Sequence, residues 1–298
     1  MKHAITSASR KEWAVGYAFA APAVILFLVF TIIPLFGTLY FSFTNYDFFS
    51  EVKMVGFANY AKIFRDKNLL AATGHTLYFG IFAIFTAVFG GMLLAVFLNR
   101  KVNPHINGFF RFAFFLPYVV AAAYCSLIWF EFYSTGTGIF NYYLRKLGLE
   151  PIGWLTDKRY AMASIILMDV WKNVGYFMTI FLAGLQNIPN MYYEAAELDG
   201  ASWVQKYFHI TIPLLTPTLF FVLIMTSINA LQIFEPIQIM TKGGPVNATR
   251  SIVIYIYQNA FQKYNLGYAS ALSIVLFLAV SGMTLFQFKT SKKWVNYV

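Results

Sequence analysis

Six runs of this chain are apolar for about twenty residues or more, the length a helix needs to cross a hydrocarbon core about 30 Å thick. They are Tyr17–Phe43, Thr76–Leu98, Phe112–Phe132, Ala161–Leu185, Leu215–Phe234 and Tyr268–Phe288. The runs are continuous rather than alternating, so helices are expected and barrel strands are not. Inside lipid each helix must satisfy its own backbone, so Pro34, Pro117, Pro217 and Pro236, in or beside the runs, predict kinks. Only 11% of the 298 residues are charged and 59% are hydrophobic. A soluble domain carries about 25% charged residues, so this chain cannot cover itself with polar surface in water. The expectation is an all-α membrane protein of six transmembrane helices. It is read as one domain over 1–298, with a first helix over about 17–43 and core spans over about 76–288. Arg10-Lys11 ahead of an apolar run imitates a signal peptide. The run from Tyr17 is too long for one, so it is read as a retained first span.

The net charge of +10 would suggest nucleic acid in a soluble protein. Here the cations stand in loops between apolar runs, where lipid headgroups are the natural partner. Six spans put both termini on one side. That side holds Lys2, Arg10, Lys11, Arg100, Lys101, Arg111, Lys206, Lys289, Lys292 and Lys293, ten cations close to span ends. The other side holds eleven, spread over three longer loops. Density near the span ends predicts cytoplasmic termini.

The chemistry missing from the sequence excludes several function classes. No G-x-x-x-x-G-K-[ST] phosphate loop and no G-x-S-x-G nucleophile elbow occurs. The four histidines, at 3, 75, 105 and 209, have no metal-ligand spacing. Cys125, the one cysteine, lies in an apolar run and can form no intrachain disulfide. No catalytic residue, metal site or cofactor is expected.

Ionisable groups inside spans are expensive and mark functional candidates. Asp169, Lys172, Asn173 and Tyr176 fall at i, i+3, i+4 and i+7 on one helix face. An Asp169–Lys172 pair that only satisfies itself is one reading; the wall of a translocation path is the other. Thr226, Asn229 and Gln232 follow at threefold spacing in the fifth run, then Glu235-Pro236. Helix–helix hydrogen bonds explain them as well as substrate contact does.

The loop over 187–212 carries the most specific pattern. Pro189 suits a first helical turn, Gly200 can take the left-handed conformation that ends a helix, and Ser202 with Gln205 fits a capping box. Ala195 and Ala196 leave a smooth face, edged by Glu194, Glu197 and Asp199, and Pro213 closes the unit. Glu194-Ala195-Ala196, then Gly200, Ile210, Ile212 and Pro213 is a set of types expected at a given start about once in 10⁷. It resembles the cytoplasmic EAA loop of binding-protein-dependent ABC importer permeases, with Ile212 where those usually carry Leu.

Further stretches resemble the sugar-uptake branch of that family, which moves lactose, multiple-sugar, maltose or glycerol-phosphate substrates. They include Phe114-Phe115-Leu116-Pro117, Gly138–Asn141, Trp154–Asp157, Asp169–Lys172, Gly184–Pro189, Thr241–Pro245, Asn259–Phe261 and Gly267–Ala271. The resemblance implies the type I importer permease fold with a cytoplasmic coupling helix, in the bacterial inner membrane. It assigns ATPase docking to Glu194, Ala195, Ala196, Asp199 and Gly200, and sugar contact to Lys172, Asn173, Tyr176, Thr226, Asn229, Ala230 and Ile233. Ala230 and Ile233 depart from the polar residues of the maltose-type relative, whose large outer insertion is also missing, so sugar identity does not transfer. The implied partners are a second permease of similar fold, two ATPase subunits that bind the ATP, and an extracytoplasmic solute-binding protein. The alternatives are an ion-coupled secondary transporter, or an importer of a non-sugar solute such as glycerol phosphate.

Overall fold

The computed structural model describes residues 7–99 and 104–296. Lys2, Arg100 and Lys101 of the charge argument lie outside the described residues, as do the side chains of Arg10 and Lys11. The described residues are helix, turn and loop, apart from an antiparallel bridge between Thr44 and Met54. They divide into two compact units, one up to Arg65 with Ile256–Leu276, the other Asp66–Tyr255 with the chain from Phe277 onward.

In the first unit a helix over Ser7–Phe27 passes through a π turn, Leu28–Ile32, into Ile33–Ser42. Pro34 has no N–H for the carbonyl of Phe30, and that acceptor lies inside the wider turn. The same device recurs in the second unit. The Trp203–Lys206 helix opens through a π turn, Tyr207–Thr211, into Ile212–Leu231. Pro213 was expected to close the loop; it sits instead inside this continuous helix, just past the π turn that accommodates it. Beyond the first helix, Asn59 donates to the carbonyls of Ser42 (2.9 Å) and Thr44 (2.8 Å). Gly267 donates to Tyr46 O at 2.9 Å and lies flush against the Thr44 carbonyl, where a Cβ would overlap.

In the second unit the Lys67–Leu98 helix starts earlier than the apolar run. Asp66 caps it, accepting from the backbone N–H of Asn68 and Leu69, so the helix extends past its apolar part. The third run, read as one span over Phe112–Phe132, is two helices, His105–Val119 and Ala122–Phe132, bent by 98°. Pro117 removes a backbone donor near the break, and Ala121 takes an extended conformation that starts the second piece. The fifth run also ends early: the helix stops at Leu231, and Glu235–Met240 follows after a break. The last span is Leu266–Ser291.

The Ala161–Gln186 helix is the centre of this unit. Three glycines set its crossings. At Gly175 a Cβ would overlap the carbonyl of Phe114, so this helix and His105–Val119 touch backbone to backbone. At Gly184 a Cβ would meet Thr218 Oγ1 at 2.5 Å, and at Gly91 one would meet Phe177 at 2.8 Å. Around these contacts pack two apolar clusters, one with Trp129, Met168 and Ile237, the other with Met178, Phe181 and Val222.

Gly175→Ala should therefore force the two helices apart and destabilise the fold by about 1–3 kcal/mol or more. Gly108→Ala, with nothing within 4 Å of the added carbon, should be neutral. Thermal unfolding in detergent checks the pair.

Candidate functional site

Where the two clusters meet, a cavity of about 430 Å³ opens beside the middle of Ala161–Gln186. All seven side chains expected along a substrate path border it: Lys172, Asn173, Tyr176, Thr226, Asn229, Ala230 and Ile233. The two helices that flank the 187–212 loop bring them together. Asn173 and Tyr176 are half-buried and Asn229 is exposed. Thr226 is buried and donates to Val222 O in its own helix at 2.7 Å. Ala230 and Ile233 are buried in the first apolar cluster, with Ala230 against Gly80. Their departure from polar residues is thus absorbed by packing.

Lys172 is 8% exposed, and holding a lysine at a span centre costs about 3 kcal/mol on insertion scales. Asp169, one turn away, was expected to be its partner. Asp169 instead accepts from Asn173 Nδ2 at 2.8 Å, and the described ion pairs are Arg159–Asp157 and Lys206–Glu197. The ammonium of Lys172 donates to the carbonyl of Tyr118 at 3.3 Å and stands 5.0 Å from the centre of its ring. The 98° bend accounts for this. It leaves carbonyls at the end of His105–Val119 without intrahelical donors, and a helix C-terminus attracts a cation.

Tyr118 is a site residue that the sequence reading missed. Its ring lies parallel to that of Tyr176, centroids 4.1 Å apart and planes 9° apart. Only the bend turns it into the cavity, and no local pattern announces a bend of that size. Gln232, Glu235 and Pro236 also border the cavity, near the break after Leu231.

The 187–212 loop is a second, separate construction. Pro189 stands one position before the helix rather than in its first turn, and Asn190–Leu198 is helical. Gly200 has φ +72°, a conformation glycine adopts without strain. The N–H of Ala201 reaches Ala196 O (2.9 Å) and that of Gly200 reaches Glu197 O (3.0 Å). This double closure is a Schellman turn. Ser202 and Gln205 then form the reciprocal capping box that starts the next helix. Glu194, Ala195 and Asp199 are exposed, Ala196 is half-buried, and Leu198 is 90% exposed.

Glu197 was read as part of a partner-facing acidic edge, but Lys206 Nζ donates to it at 2.7 Å, tying the two arms of the hinge. That hydrogen bond holds the Glu197 carboxyl below the usual carboxylate range. Tyr193 and Thr211 make a second tie, hydroxyl to hydroxyl at 3.0 Å. Among the described residues, no group of three or more His, Cys, Asp or Glu side chains is placed to hold a metal ion.

Residues 87–291 match the family described as binding-protein-dependent transport system inner membrane component. Similar proteins include the probable ABC transporter permease protein YesP of Bacillus subtilis, 38% identical, covering 97% of this chain and 94% of that protein. The trehalose/maltose transport system permease protein MalF of Thermococcus litoralis is 34% identical over 95% of each. Among solved structures, a bacterial ABC transporter involved in the import of the acidic polysaccharide alginate superposes with a TM-score of 0.85. It is 24% identical and covers 96% of this chain and 98% of that one. The helical architecture is therefore that of a type I ABC importer permease.

The Glu197–Lys206 tie generates a pH expectation. A carboxylate with lowered pKa contributes stability above its unfolded pKa, about 4.3, and loses it as pH falls through the folded value. The protection factors of the amides over 190–206, each rate referred to the intrinsic rate at the same pH, should hold at neutral pH and fall only below the ordinary carboxylate range. Glu197→Gln should show the lowered protection at neutral pH.

Proposed function

This chain belongs to the family of binding-protein-dependent transport system inner membrane components, and from that membership we propose how it works. It is the membrane-spanning subunit of an ATP-driven importer, one permease domain over 1–298, that passes a carbohydrate across the bacterial inner membrane by alternating access. The 34% identity to a trehalose/maltose permease over 95% of the chain supports a sugar cargo. A second permease of similar fold completes the path, two ATPase subunits bind and hydrolyse ATP, and an extracytoplasmic binding protein delivers the sugar.

The observation that carries this reading is continuity between the two constructions. Ala161–Gln186 borders the cavity through Lys172, Asn173 and Tyr176, and leads through Asn187, Ile188 and Pro189 into the hinged loop. Ile188 is buried and proline limits rotation, so the junction transmits movement. The knob presents Glu194, Ala195 and Asp199, exposed beside a glycine-closed turn, for an ATPase cleft to grip. ATP-driven closure then draws the knobs of the two permeases together, and rigid helices turn the cavity from one face to the other. Tyr118 and Tyr176 offer ring faces to a sugar, with Asn173 and Asn229 as hydrogen-bonding groups.

Affinity purification should recover an ATPase with this chain, and the reconstituted complex should hydrolyse ATP faster when loaded binding protein is present. Gly200→Val should remove most of that stimulation, because a β-branched residue resists a positive φ; Gly200→Asn should keep more. Asn229→Ala or Tyr176→Ala should instead lower transport or change sugar preference while leaving maximal ATP hydrolysis nearer normal. Normal stimulation in Gly200→Val would remove 194–200 as the coupling element.

The same reading places the termini and the hinged loop in the cytoplasm. In a Cys125→Ser background, single cysteines at Asn190 and Asn247 should label from opposite faces of sealed cells. Labelling of both by an impermeant reagent added outside would overturn that topology.

A further inference from the structure

A second cavity, of about 340 Å³, opens at the root of the hinged loop and has no part in the path described above. Its walls come from four places in the chain. Asn99 follows the end of Lys67–Leu98, Leu185 stands at the end of Ala161–Gln186, Asn190 and Tyr193 belong to the first arm of the hinge, and Trp203 and Lys206 belong to the second. We propose that this is a second sugar-binding site, on the face of the membrane that meets the ATPase, through which accumulated sugar restrains the hinge. The proposal rests on the sidedness and carbohydrate reading of the preceding section, but concerns a different site.

The chemistry of the walls argues for a sugar. Trp203 and Tyr207 stack, their planes within 12° of parallel and their centroids 5.5 Å apart, so each ring keeps one outer face for a ligand. Such a face suits the C–H side of a pyranose ring. The two asparagine amides each offer donors and an acceptor, matching hydroxyl groups that both donate and accept. Lys206 has three ammonium protons and gives one to Glu197. An anion is disfavoured, because a phosphate or carboxylate beside Lys206 would also face the Glu197 carboxylate, 2.7 Å from the ammonium. The volume lies at the small end of ligand pockets, about 300–1,000 Å³, which fits one or two sugar rings rather than a longer chain.

The position gives the site a consequence. A ligand spanning it would join the end of a transmembrane helix to both arms of the hinge. Its binding energy would favour this placement of the hinge against the end of Lys67–Leu98 over any in which the hinge, together with Ala161–Gln186, has moved past that helix, and so oppose the motion that couples ATP hydrolysis to transport. Sugar on the product side would then slow its own import.

Radiolabelled maltose and trehalose are the probes, with the complete complex held in nanodiscs without binding protein. Equilibrium dialysis should find two sugars per copy of this chain. Trp203→Ala should weaken one of them at least tenfold, and Asn229→Ala should weaken the other. Asn190 is exposed, so Asn190→Ala keeps the test valid where Trp203→Ala fails to fold. In sealed proteoliposomes with the ATPase face outward, either sugar added outside should lower wild-type ATP hydrolysis severalfold, and Asn190→Ala should blunt that inhibition. Unchanged two-site binding in both Trp203→Ala and Asn190→Ala, or loss of all binding in Asn229→Ala, would overturn the second site. In that event sugar-stimulated hydrolysis would leave the carbohydrate reading standing. Absence of both binding and stimulation with either sugar would overturn the two together.

Discussion

The backbone contact between Gly175 and the carbonyl of Phe114 is the constraint on which the second unit depends. In lipid, helices gain little from hiding apolar side chains from one another, so close approach and hydrogen bonding must hold them. Gly175 lets Ala161–Gln186 lie against His105–Val119. That approach sets where Lys172 and Tyr176 meet the end of the neighbouring helix. The ammonium then finds the Tyr118 carbonyl, and the two tyrosine rings stack. One missing side chain thus allows a buried charge, an aromatic wall and the cavity between two packed clusters.

The same helix carries the site's position to the 187–212 loop. It runs from the cavity to Gln186 and then through Pro189 into a hinge whose two arms are joined by a Schellman turn, a capping box and the Glu197–Lys206 pair. Pro213, which could have broken the helix beyond the hinge, follows a π turn that takes up its missing donor. An element built this way passes on displacement rather than absorbing it, as the alternating access proposed here requires of a link between an ATPase and the path.

Local chemistry was legible in the sequence, and long-range geometry was not. Gly200, Ser202 and Gln205 announced the hinge because a left-handed turn and a capping box are set by residues three or four apart. The faces bearing Lys172, Asn173, Tyr176, Thr226 and Asn229 followed from helical spacing, the resemblance to importer permeases joined them in one path, and the structure sets them around one cavity. The bend after Val119 was hidden, since Pro117 predicts a kink but not a 98° turn. Tyr118 and the hydrogen bond its carbonyl accepts from Lys172 were hidden with it, because both depend on the bend. Glu197 looked free for a partner because Lys206 stands nine residues on in sequence (206 − 197), beyond any single-helix rule. The break after Leu231 was lost in an apolar run that continues through it.

Ala161–Gln186 and the hinged loop, as proposed above, move as one body. Leu167 and Leu198 are both exposed, at 49% and 90%, and stand on the two parts. Spin labels at these positions, in the complete importer, report their separation by pulsed electron resonance in the nucleotide-free and vanadate-trapped states. Movement as one body keeps the separation constant to about 2 Å, the scale of small helix shifts, while the cavity walls move. A change of about 5 Å or more, one helical turn, would mean that the hinge flexes on its own and that the two parts are not one body.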